Sequence, residues 1–318
     1  MRLTPTRVPW AAVAAFVVLA CGLAWLVCLP LWRHGGLSNP NANVVLYVMM
    51  YTPALAAVAV VLVVHKRGLP GAAGNVPVLE FLGLWPLRPA SRTVWMTVTA
   101  LVGTSLLIMI GVLGSAAFGR VHLDLVHFSS FAARLPPQAR QVPIQLLVLG
   151  QIISIPVGSV VNAFLTLGEE VGWRGWLLPN LRPLGTWPAL LCTGAIWGLW
   201  HAPIILLGYN FNRPDLRGVL LMIGGCTVFG VLIGWLRLRT ASLWPCVFAH
   251  AALNATGGFV VLVMAAHTRT DPAATGPLGW VTWLVEAVLI GALVLTGQFR
   301  QQPSLGRSSA RTGPREAR

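Results

Sequence analysis

The sequence predicts an all-helical, polytopic membrane protein. Three observations carry that prediction. Hydrophobic residues make up 56% of the 318 positions. Charged residues make up 9%, against about 25% in soluble domains. The apolar residues gather into eight segments, each near the length of about 20 residues that a spanning helix needs. The segments fall near 8–31, 44–64, 94–118, 143–167, 187–207, 218–236, 242–266 and 277–297.

The first segment is read as a retained helix. Its apolar run from Val8 to Trp32 is long, and no small-residue cleavage site follows a short core. All five cysteines (21, 28, 192, 226 and 246) lie inside apolar segments. Their spacing is neither that of a metal site nor of a disulfide framework, so they read as small core residues. The 66–92 loop is rich in Gly and Pro. The 119–142 loop interleaves apolar and polar residues, as an interfacial segment does. Residues 1–300 read as one membrane domain, and the basic stretch 301–318 as a disordered tail.

The net charge is +14. Nucleic acid would be one partner for such a chain, but the positions of the charges favour topology and exclude that reading. With the N-terminus inside, 15 basic residues fall inside and 7 outside. The positive-inside rule then predicts both termini in the cytoplasm and a multi-pass protein of the cell membrane. The tail arginines would lie against anionic headgroups.

Ionisable side chains at membrane depth are costly and usually functional. The chain has 8 acidic residues, and two are adjacent, in Gly168-Glu169-Glu170-Val171-Gly172-Trp173-Arg174. Glu170 and Arg174 are spaced i,i+4 and predict an ion pair on one helix face. Glu169 points about 100° away and is free to act as general base toward a water. Of seven histidines, only His201 and His250 lie within apolar segments, and Asn254 follows His250 by one helical turn. Two chemistries fit this set. In one, Glu169, His201 and His250 hold a divalent metal such as zinc with an open position. In the other, Glu169 and His201 polarise the water directly and His250 with Asn254 stabilise the oxyanion. The zinc-protease pattern H-E-x-x-H is absent.

Glu-Glu-x-x-x-Arg at 169–174, aromatic-x-x-x-His at 197–201 and His-x-x-x-Asn at 250–254 resemble the three motifs of the CPBP family. This is the group of CAAX-type prenyl endopeptidases and bacteriocin-processing membrane proteins also called the Abi family. The resemblance covers about residues 142–265. It implies an intramembrane endopeptidase of metallo or glutamic type, acting on a peptide or a lipidated, membrane-associated protein. It assigns water activation to Glu169 with Glu170 and Arg174 in support, the second-motif histidine to His201, and the oxyanion pair to His250 and Asn254. Trp197 stands where the family often has Phe, and keeps an aromatic packing role. A non-proteolytic scaffold or immunity protein is the alternative. A proton-coupled transporter using Glu169, Glu170 and Glu286 is a more distant one, since no inverted repeat is present.

Two further expectations are geometric. The catalytic residues converge on one water-accessible pocket open to the cytoplasm. The glutamates, at the end of the fourth segment, reach the depth of His250 only if that helix bends, for which Pro156 provides, or continues into 173–181. Glu286, mid-segment, reads as a protonated, hydrogen-bonded packing residue rather than as a cavity-lining group.

Overall fold

A computed structural model describes residues 7–66, 77–87 and 89–300. The expected tail disorder at 301–318 and most of the Gly/Pro-rich loop lie outside the described residues. The main helices are α1 (Trp10–Arg33), α2 (Ala42–Met50), α3 (Thr52–Lys66), α4 (Ala90–Ala117), α5 (Ile144–Glu170), α6 (Thr186–Trp200), α7 (Leu216–Thr240), α8 (Trp244–Thr256) and α9 (Trp280–Leu295). No strand occurs among the described residues, and one isolated bridge joins Leu123 to Met264. The all-α polytopic architecture is as the composition predicts.

Seven helical stretches, rather than eight, are long and apolar enough to cross a membrane. The segment missing from the count is the fifth, 187–207, whose helix is shorter than its apolar run. α6 has 15 residues and ends at Trp200, about 22 Å of helix. Ala202–Ile205 then forms a separate turn with Pro203 in its first positions, where the missing N–H costs nothing.

α7 is the most buried of the spanning helices. α6 lies against it through Gly194 and Gly198, one turn apart. A Cβ at either glycine would run into the α7 backbone at Cys226–Thr227 and at Ile223, respectively. Close approach through small residues is a general device of membrane helix pairs. Asp215 caps the start of α7 by accepting the Gly218 N–H at 3.0 Å.

The fourth segment departs most from expectation. Its helix does not stop at residue 167. It runs through Glu170, passes through a π-helical turn at Val171–Leu177 and continues as helix to Leu181. Pro156 lies inside α5 without ending it. Gly168 and Gly172 serve close contacts: side chains there would strike Met50 and Tyr51, and Pro53, respectively. Opposite them the second span is broken between α2 and α3. Pro53 has no N–H for the Met49 carbonyl, and the Thr52 hydroxyl donates to it instead, at 2.8 Å.

The outer loop packs rather than lying free. Asp124 accepts N–H bonds from Val126, His127 and Ser129; its carboxyl is held well below the usual carboxylate range first by the Ser129 side chain and then by the His127 N–H. The Asp124 N–H in turn donates to the Val263 carbonyl at 2.9 Å.

Candidate active site

The π-helical turn sets the site. A π turn displaces the side chains that follow it, and such turns recur at functional sites. Here it turns Trp173 and Trp176 onto Phe16 of α1, with ring centroids 5.6 and 4.8 Å away. It turns Arg174 back toward Glu170. All three side chains are buried.

Glu170 Oε1 accepts from Arg174 Nη1 at 2.9 Å and lies 2.9 Å from His250 Nδ1. The i,i+4 pair is thus formed as predicted, and His250 completes a triad. Glu170 is fully buried and Arg174 nearly so. An unpaired charge there would be strongly destabilising. The Arg174 guanidinium also lies over the Trp197 ring, 4.3 Å from its centroid, a cation–π contact in a desolvated setting.

Trp197 joins the remaining motif residues. Its indole N–H donates to Glu169 Oε2 at 2.7 Å. Its main-chain carbonyl lies 2.9 Å from His201 Nδ1. A carbonyl only accepts, so Nδ1 carries the proton, and a neutral His201 holds its lone pair on Nε2. The His250 ring meets the Trp197 ring edge-on at 5.1 Å. The sequence assigned Trp197 a packing role. Its N–H, the one feature a Phe lacks, was the signal for more.

Arg237 is the second residue whose role the sequence did not disclose. Counted among the cytoplasmic charges, it is instead fully buried. Its Nε donates to the Arg174 carbonyl at 3.0 Å and its Nη2 to the Phe81 carbonyl at 2.7 Å. Its Nη1 bonds the Ala241 carbonyl. It therefore fixes the backbone from which Arg174 projects.

Glu169, His201, His250 and Asn254 all line one cavity of about 570 Å³. Glu169, His201 and His250 are buried, whereas Asn254 is exposed at the wall. Among the described residues, no three His, Cys, Asp or Glu side chains are spaced to hold a metal ion. Glu169, His201 and His250 as placed therefore do not form a ligand set. One Glu169 oxygen and the Nδ1 of each histidine are engaged with Trp197 or Glu170.

The walls of the cavity give its position along the bundle. Its further walls include Asn43, Asn210 and Thr275, at the bundle end where α1 finishes. Trp32 there bonds the Pro203 carbonyl at 2.9 Å. The C-terminal end of α9 is at the other face, where Phe299 stacks on Trp187 at 4.7 Å. The cavity walls at Asn43, Asn210 and Thr275 thus lie toward the bundle end opposite Phe299 and Trp187.

Glu286 is also corrected. It is fully buried, but neither carboxylate oxygen has a hydrogen-bond partner among the described residues. It is not among the residues lining the catalytic cavity.

Residues 146–256, about a third of the chain, match the family model described as "Type II CAAX prenyl endopeptidase Rce1-like". The comparison with curated proteins gave no match. All three motifs fall within the matched stretch, and over these residues the chain is similar to the CAAX-type endopeptidases.

Proposed function

We propose that the chain is an intramembrane endopeptidase that hydrolyses a peptide bond of a membrane-associated substrate, with a water activated by Glu169. The observation that carries this reading is the convergence of Glu169, His201, His250 and Asn254 on one cavity. Each residue alone has a bland explanation, but four around one cavity share a task.

Glu169 Oε2 is held by Trp197, which leaves Oε1 to accept a water proton. His201, with Nδ1–H committed to the Trp197 carbonyl, offers the Nε2 lone pair to the same water. The activated oxygen attacks the scissile carbonyl carbon. His250 Nδ1–H donates to the Glu170 carboxylate, and in the proposed step its Nε2 carries a proton as well. Its Nε2–H and the Asn254 amide then donate to the oxyanion. Glu169 returns its proton to the leaving nitrogen, the C–N bond breaks, and a carboxylic acid and an amine result.

The test is cleavage of a fluorogenic peptide library, part of it carrying a lipid anchor, by protein in detergent. Wild type should cleave, and Glu169→Gln should lose roughly 10²–10⁴-fold, the usual contribution of a general base. Cleavage by Glu169→Gln at the wild-type rate would refute the assignment.

A further inference from the structure

A second cavity, of about 610 Å³, adjoins the catalytic one. It runs along α5 between that helix, the end of α8 and the outer loop at Phe131 and Arg134. Asn162 and Val261 line both cavities, so the second cavity is a groove that shares a wall with the first.

α5 presents two unlike faces. Leu149, Ile153, Val157, Val160 and Phe164 are exposed. At about 100° per residue they cluster on one side, as a lipid-facing stripe does. Gln151, Ser154, Gly158 and Asn162 fall on the other side and line the second cavity. Seven residues beyond Asn162 the same line reaches Glu169. Polar groups at membrane depth are retained where they line a path or pair with a partner. Here they lack enough partners. The Gln151 amide has none among the described residues. Asn162 Nδ2 donates to the Gly158 carbonyl at 2.9 Å, and its Oδ1 accepts nothing.

A peptide bond inside a helix is shielded from an attacking water, so a substrate must be extended where it is cut. An extended backbone in an apolar setting leaves each N–H and C=O unsatisfied, at several kcal/mol apiece. A row of polar side chains leading to the general base meets that need. A lipid tail would use none of them. Ser154 and Asn162 stand about 12 Å apart along the helix, the reach of roughly three or four extended residues.

We propose that this groove binds the extended stretch of substrate polypeptide on one side of the cleaved bond, with Gln151, Ser154 and Asn162 bonding its backbone. The assignment rests on the protease reading above. The catalytic cavity then receives the scissile bond itself, and the groove sets the length and bulk of the flanking residues.

The test uses full-length protein in phosphatidylcholine nanodiscs with the library peptide that wild type cleaves fastest. Ser154→Trp fills the groove from an exposed position, and Val160→Trp places the same bulk on the lipid face. Ser154→Trp should raise KM at least about tenfold with kcat within about twofold, and Val160→Trp should change neither. An unchanged KM in Ser154→Trp, or equal effects of the two variants, overturns the groove. A second readout does not need turnover. A benzophenone amino acid at position 154 in a Glu169→Gln background should crosslink the peptide, and crosslinking to phospholipid alone overturns the proposal. Absence of cleavage by wild type refutes the protease reading and leaves the crosslink to decide the groove.

Discussion

Trp197 donates its indole N–H to Glu169 at 2.7 Å, and the same ring lies over the Arg174 guanidinium. One side chain therefore orients the proposed base and covers the cation of the neighbouring ion pair. The two functions separate on substitution. Trp197→Phe keeps a ring over Arg174 and keeps the main-chain carbonyl that orients His201, but removes the donor to Glu169. A hydrogen bond to a charged group contributes about 1.5–3 kcal/mol. We therefore expect kcat/KM to fall roughly ten- to hundredfold while the elution profile in detergent stays that of wild type. Unchanged kinetics in Trp197→Phe would reduce the bond to packing.

The fold and the motif residues were largely legible in the sequence because membrane burial makes polar residues conspicuous. Glu169, Glu170, His201 and His250 stood out against an apolar background, and the i,i+4 spacing gave the Glu170–Arg174 pair. What was not legible depended on contacts between distant segments. Gly168 and Gly172 look like a loop until Met50, Tyr51 and Pro53 are placed against them. Arg237 looks like a surface charge until the carbonyls of Phe81 and Arg174 are seen to meet it. The direction in which the cavity opens belongs to no single segment, so no pattern along the chain encodes it.

Arg174→Ala should impair folding before it impairs chemistry. It leaves the buried Glu170 carboxylate with His250 as its sole hydrogen-bond partner among the described residues. Breaking a buried pair from one side costs about 3–5 kcal/mol. Arg174→Lys should rescue little, because an ammonium cannot lie flat on the Trp197 ring. The fraction of monodisperse protein after solubilisation measures both. Normal yield of Arg174→Ala would contradict the pairing.

Arg237→Met should mimic this loss from a distance. It strands the carbonyls of Phe81, Arg174 and Ala241, each at about 1–3 kcal/mol when buried without a partner. The unfolding midpoint in detergent should drop more than for any substitution on the lipid face of α5. A midpoint equal to wild type would show that Arg237 does not hold the Arg174 backbone.

Glu286 carries the opposite sign. Its carboxylate is buried with both oxygens unpartnered, so folding forfeits their hydration without compensation. Glu286→Met keeps the volume and removes the polar atoms. We expect a raised unfolding midpoint and cleavage within about twofold of wild type, since an apolar group of the same shape is neutral or better there. A lowered midpoint would mean that the carboxyl finds a partner or holds a role.

The separation of the cavity mouth from the C-terminal face yields a topological prediction. Asn210 lines the cavity, whereas Phe299 stacks on Trp187 at the other face. The sequence expectation of 15 basic residues on the side of the termini and 7 opposite would, by the positive-inside rule, put that side in the cytoplasm. Two of those 15, Arg174 and Arg237, are buried, yet the excess survives without them. The catalytic cavity should then open away from the cytoplasm, and substrate should arrive from outside or laterally. In a background with the five cysteines replaced, Asn210→Cys should react with a membrane-impermeant maleimide on intact cells. Phe299→Cys should react only after permeabilisation. The inverse pattern would place the termini outside and the cavity in the cytoplasm, overturning the charge argument. Labelling of both from one side would contradict the arrangement of the helices itself.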